Sequence, residues 1–238
     1  MTKGREAILE QFFNALISGD RPAARGVLNQ LINADLPAER IISNLFWPTI
    51  EHIQQLYRAD QLSNLSHHYA TRLMRSLVDQ MQPRLDQADR RNKRVLLVSG
   101  PDEPEELSAQ MAADLLEAAG YDLYFAGGGI ANDEIVAQVG QLKADILVIF
   151  GATVSIVPFT RQLIDRLHEI GVSPRLQIVV GGGVFNRAEG LAEEIGADLW
   201  AKDPIELIHQ INAEPNRRMN SDQRTVGRRR RSKRIAAA

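Results

Sequence analysis

Residues 94–125 read RVLLVSGPDEPEELSAQMAADLLEAAGYDLYF. The run Arg94–Val98 is apolar without alternation, as in a strand buried on both faces. A loop holding four carboxylates follows. Ala109–Gly120 then has the period of a helix, and Tyr121–Phe125 is again strand-like. Three more such runs follow: D-I-L-V-I-F from Asp145, L-Q-I-V-V from Leu176 and a weaker D-L-W-A from Asp198. Strands alternating with helices predict a parallel sheet covered by helices. Five strands in this length suit a flavodoxin-like, Rossmann-like α/β domain better than a full dinucleotide-binding fold. Ligands of such folds gather at the carboxyl ends of the strands. Here those ends are Ser99-Gly100, Gly127-Gly128-Gly129, Gly151-Ala152-Thr153 and Gly181-Gly182-Gly183.

Upstream of Arg94 the pattern is helical. One helix opens near Thr2. A second follows Asp20-Arg21-Pro22, with proline in its first turn. A third runs from about Pro37, with Pro48 inside it predicting a kink. A fourth starts near Ser63. These predict an N-terminal four-helix bundle over residues 1–88, preceding the sheet domain at 89–212. Residues 213–238 read as a disordered basic tail, too polar and too charged to bury a face.

The 238 residues carry a net charge of −2. From Ala213 to Ala238 the balance is about +7, so the preceding body is near −9 and is a poor surface for duplex nucleic acid. Any nucleic-acid contact is expected through the tail alone. No cysteine is present, which excludes disulfides and thiolate-held metal centres. The first residues lack a signal-like apolar segment, and no run approaches the roughly 20 apolar residues of a membrane span. The expectation is a cytoplasmic protein.

Glycines at three strand ends let backbone approach a flat ligand. None forms G-x-G-x-x-G or a P-loop. A phospho-receiver would need a carboxylate at the end of the third strand. Asp102-Glu103 and Lys202 could serve its other positions, but F-G-A-T-V-S holds no carboxylate. The acidic loop therefore reads first as a helix N-terminus, capped by Asp102 or Glu103 with Glu105 and Glu106 in its first turn. None of His52, His67, His68, His168 and His209 falls at a strand end, and none stands in metal-site spacing. No nucleophile elbow or acid–base pair is visible. The expectation is a protein without catalytic residues.

A helical bundle, a linker and a five-stranded flavodoxin-like domain together resemble the cobalamin-binding proteins. The likeness spans about Thr2 to Asn212. M-A-A-D-L-L-E-A-A-G-Y-D-L-Y-F-A-G, V-V-G-G-G-V-F-N and E-E-I-G-A-D-L-W-A-K-D-P carry it. Gly181-Gly182 is the most specific feature. Within that family the chain looks most similar to cobalamin-dependent regulators and photoreceptors. These carry Trp, nine residues, then Glu-His over the upper face of the corrin. Here Tyr57, nine residues and His67-His68 stand in that place. The resemblance makes Tyr57 an aromatic lid and His68 a weak candidate for an upper cobalt ligand.

The departures lie in the loop after the first strand. Relatives that displace the cofactor's lower base carry a cobalt-ligating His in Asp-x-His-x-x-Gly or Glu-x-His-x-x-Gly, and the Gly makes room for the nucleotide tail. Ungapped counting puts Glu105 at that His and Ser108 at that Gly. After the third strand the family's Ser-x-Thr becomes Gly151-Ala152-Thr153. A carboxylate suits this ligand role less well than imidazole. Carboxylates in the loop would also repel the tail phosphate.

The cofactor-binding positions implied are Tyr57, His68, Glu105, Ser108, Gly127, Gly151, Thr153, Gly181, Gly182 and Gly183. Three occupants stand open: cobalamin with its own base on cobalt, another tetrapyrrole, or none. The function expected is a non-enzymatic sensor or regulator binding a corrinoid between bundle and sheet, with a protein partner in a signalling or transcription pathway. A ligand-free scaffold is the alternative. A corrinoid carrier for a methyltransferase ranks below both. Association of copies is left open, and no membrane partner is expected.

Overall fold

The computed structural model describes residues 2–151 and 153–219. It divides into two compact units, Met1–Ala88 and Asp89–Ala238.

The first unit holds α1 (Thr2–Ser18), α2 (Arg21–Asn33), α3 (Ala38–Ile41), α4 (Trp47–Arg58) and α5 (Asn64–Met81). Asp20 caps α2 by accepting from the Ala23 N–H, 3.0 Å away. Ser63 caps α5 through Ser66 N–H. Buried side chains recur at helical spacing, as in Ala70, Leu73, Met74, Leu77, Val78 and Met81 on α5. They meet Phe12 and Phe46, whose rings stack with centroids 5.6 Å apart. The predicted third helix is instead two α-helices joined by a π-helical turn, Ile42–Phe46. Pro48 explains the interruption: it donates no N–H, and its ring crowds the carbonyl four residues back. The neighbouring Thr49 hydroxyl donates to Leu45 O at 2.6 Å, so that carbonyl keeps a partner.

In the second unit β1 (Arg94–Ser99), α6 (Glu103–Ala118), β2 (Asp122–Gly127), α7 (Asn132–Leu142), β3 (Ile146–Phe150), α8 (Ile156–Ile170) and β4 (Gln177–Gly181) alternate. Two short helices follow, α9 (Gly183–Arg187) and α10 (Leu191–Ile195), then β5 (Leu199–Ala201) and α11 (Pro204–Ala213). All strands pair in parallel in the order β2-β1-β3-β4-β5. This is the doubly wound, flavodoxin-like α/β fold that the sequence predicts. Leu96, Val98, Leu147, Ile149, Ile178 and Val180 form one core face with Ile135, Val139, Ile164 and Leu167 of α7 and α8. The alternate residues Val95, Leu97, Val148 and Val179 are also buried. α6 packs across β1, β2 and β3 and against α11.

Two features differ from the sequence reading. β2 is apolar, yet Tyr124 and Phe125 are exposed, because β2 ends the sheet and has a neighbour on one side only. The chain after α11 does not leave the domain at residue 213. Gln177 Nε2 donates to the carbonyl of Glu214 at 2.8 Å, and Met219 N–H donates to Asp198 Oδ1 at 2.6 Å. Residues 214–219 therefore lie along the amino ends of β4 and β5. The remainder of the predicted tail, 220–238, lies outside the described residues.

Candidate functional site

β1, β3 and β4 deliver the predicted loops to one edge of the sheet. β1 ends at Ser99, beside Phe150 at the end of β3, which pairs with Gly181 at the end of β4. Asp102 stands at the N-cap of α6, but its side chain makes no capping hydrogen bond. Glu105 does not serve the helix end by charge alone. Its side chain turns into the protein and is 1% exposed. Glu105 Oε1 accepts from Thr153 N–H at 2.9 Å and lies 3.0 Å from the Thr153 hydroxyl, which donates to it. Thr153 Oγ1 also lies 2.7 Å from Ser155 Oγ. A buried carboxylate thus joins the β1 loop to the β3 loop, 48 residues apart in the chain. Glu106 Oε1 reaches the Gly128 N–H of the β2 loop at 3.4 Å.

The same carboxylate lies against Gly100, where a Cβ would overlap its oxygens. At Gly181 a Cβ would stand 2.6 Å from the ring of Phe150. Cβ atoms at Gly128 and Gly182 would strike the backbone carbonyls of Gly100 and Gly151. These four glycines let the loops pack on one another. Gly183 is buried in the first turn of α9. Gly151 donates to Gly181 O at 2.9 Å, tying the β3 loop to β4. Gly127 and Gly129 have positive φ (75° and 74°), as Gly182 does (97°), and at Gly129 a Cβ would meet nothing within 4 Å. Ser108, at the position of the tail-accommodating glycine, is 5% exposed, between the fully buried Leu107 and Ala109.

In the bundle unit the Tyr57 ring stacks on His67, not on His68, with centroids 3.9 Å apart and planes 11° from parallel. Tyr57 Oη donates to Asn64 Oδ1 at 2.8 Å. His67 is buried, whereas His68 is exposed and meets His67 edge-on at 6.2 Å. Consecutive helical residues diverge by about 100°, so one imidazole goes in and the other out. Sequence spacing located both histidines, but only the structure shows that the inner one holds Tyr57.

Two family models match the chain, each described as a B12 binding domain, one over residues 8–82 and the other over residues 93–208. They follow one another through both units. The chain belongs to the B12-binding-domain family. The cobalamin class of cofactor named from the sequence is that of the family. Trimethylamine corrinoid protein 2 of Methanosarcina acetivorans is 20% identical, the match covering 88% of this chain and 97% of that protein. A corrinoid protein of Desulfitobacterium hafniense is 22% identical over 86% and 97%. The structure of Methanosarcina barkeri monomethylamine corrinoid protein superposes with a TM-score of 0.75 at 17% identity, over 84% of this chain and 95% of that one, a likeness of fold.

These findings correct the functional reading. The matching proteins are named corrinoid proteins, several of them for methylamines, and not regulators or photoreceptors. The sensory reading falls, and with it the ligand-free scaffold and the signalling or transcription partner. Tyr57 and His67-His68 imitate the spacing of the regulators. That spacing follows from one interhelical stack within the bundle. The matching proteins are named as corrinoid proteins rather than as catalysts. Among the described residues no helix is long and apolar enough to cross a membrane.

The residues at the strand ends fit a corrinoid in one respect and not in another. The glycine-rich loop edges and the open Gly129 suit a broad, flat macrocycle. Among the described residues the β1 loop provides no imidazole that could serve as a lower ligand. The position holds Glu105, turned into its bonds with Thr153, while His168 lies in α8 and His209 in α11, away from this edge.

Proposed function

We propose that this protein is a corrinoid-carrying subunit of a methyl-transfer system. The observation that carries the reading is the succession of two B12 binding domains in one chain, aligned along nearly the full length of proteins named as methylamine corrinoid proteins. When bound, the corrinoid supplies a metal able to accept and release a methyl group. The chain's own task is to hold and shield it. The Glu105–Thr153 bond fixes two of the loops at the sheet edge, and Gly127 and Gly129 leave the β2 loop free of side chains. Thr153 and the strand-end glycines are the proposed contacts to the ring. A carrier has to meet the protein that loads it, so the partner inferred is a methyltransferase.

The test is to load the full chain with hydroxocobalamin, reduce it, and add radiolabelled iodomethane. The label should co-elute with protein through gel filtration in proportion to bound corrinoid. Label that elutes only with free cofactor would contradict carriage.

A further inference from the structure

The corrinoid reading leaves open how the metal is held from below, and the sheet edge answers this. Relatives whose loop after the first strand carries a cobalt-ligating imidazole, and a glycine that makes room for the nucleotide tail, would open a slot here; among the described residues the two positions at its mouth hold Glu105 and Ser108. The mouth is filled by Glu105, 1% exposed, with Oε1 accepting both the N–H and the hydroxyl of Thr153. Its carboxylate fits against the bare Cα of Gly100, so even the space a side chain would take there is used. Further in, the Phe150 ring covers Gly181, and Phe150 is 1% exposed. Gly182 abuts the carbonyl of Gly151, and Gly128 abuts that of Gly100. Along α6, Leu107, Ser108, Ala109, Met111 and Ala112 are all buried. The glycines that would make the slot are thus occupied by the protein itself. Charge acts in the same direction. The loop exposes Asp102 and places Glu106 at the Gly128 N–H, beside any phosphate entering there.

We propose that this chain holds its corrinoid with no protein ligand on cobalt and with the nucleotide tail outside the sheet, the cofactor's own benzimidazole keeping the lower position. Glu105 is then a positioning residue. It closes the opening that an imidazole and a tail would need, and it ties the β1 and β3 loops into a platform under the ring. The proposal rests on the corrinoid reading above.

Paramagnetic resonance of the reduced, cobalt(II) form tests it without any assay of turnover. The full chain is prepared at natural abundance and uniformly labelled with nitrogen-15, loaded with unlabelled hydroxocobalamin, freed of excess by gel filtration and reduced. Axial nitrogen from the benzimidazole splits the high-field lines into triplets. The expected result is triplets in both samples, unchanged again in Glu105→Gln. Doublets in the labelled protein would show a protein imidazole on cobalt and overturn the proposal. Loss of nitrogen splitting would overturn it too, because the base would have left the metal. A spectrum altered by Glu105→Gln would make the carboxylate a ligand, contrary to its assigned role. If no corrinoid is retained, the functional reading itself fails and this inference falls with it. Retention with doublets sinks the inference alone.

Discussion

At the scale of single residues, the account turns on Glu105. Its carboxylate is buried and accepts two hydrogen bonds from Thr153. Hydrogen bonds to a charged group contribute about 1.5–3 kcal/mol, and leaving a buried N–H unmade costs about 1–3 kcal/mol. Glu105→Ala should therefore destabilise the sheet unit by roughly 1–3 kcal/mol in urea denaturation. Glu105→Gln, which keeps an acceptor oxygen, should lose less. Equal losses would mean that charge rather than the bond to Thr153 matters. Gly181 and Phe150 make a second pair. Gly181→Ala would press on the ring and should cost about 1–3 kcal/mol. In a double-mutant cycle, Phe150→Leu should recover part of that loss, and strict additivity would show that the ring and the glycine do not interact. The sequence showed where Glu105 and Gly181 stand but not what they touch. A carboxylate after a strand reads equally as a helix-terminal charge, because its partner lies 48 residues away.

At the scale of elements, the period of apolar residues gave the strands and helices, and the loop glycines marked the ligand-side edge. It could not show that β2 is exposed, because an edge strand and a central strand carry the same run of residues. It did not show the strap at 214–219 either, since polar residues there bond through backbone groups that composition does not reveal. Asp198 holds that strap. Oδ2 accepts from Ile178 N–H at 2.7 Å and Oδ1 from Met219 N–H. Burial pushes the Asp198 carboxyl above its ordinary value, against the opposing pull of those two N–H groups and of Arg218 and His168. With the folded pKa raised, the folded state binds the proton more readily than the unfolded chain does. Asp198's protonation thus favours folding at pH below the ordinary carboxylate range, and that contribution is lost as pH rises through the raised folded pKa. Asp198→Ala should remove this component from the stability–pH profile, so that the wild-type advantage shrinks as pH rises through that window. It should also cost about 1–3 kcal/mol near neutrality, through the buried Ile178 N–H it leaves without its acceptor. A parallel pair of profiles would contradict the assignment. In the other unit, Asp20→Ala should cost about 1 kcal/mol by uncapping α2.

At the scale of the whole molecule, the order of helical unit then doubly wound sheet was legible from the change of period near Arg94, and that order pointed to the cobalamin-binding family. The choice within the family was not legible. A Tyr–x9–His-His spacing resembles a regulator's corrin lid, yet it is met by an internal Tyr57–His67 stack, and the matching proteins are named corrinoid proteins, several of them for methylamines. This chain is proposed to hold a corrinoid despite having no imidazole at the β1 loop. The most direct measurement is a visible spectrum, taken after incubation of the purified full chain with hydroxocobalamin in the dark and removal of free ligand by gel filtration. The protein should stay coloured, with about one corrinoid per chain and a base-on spectrum. Colourless protein at saturating cofactor would contradict the proposal.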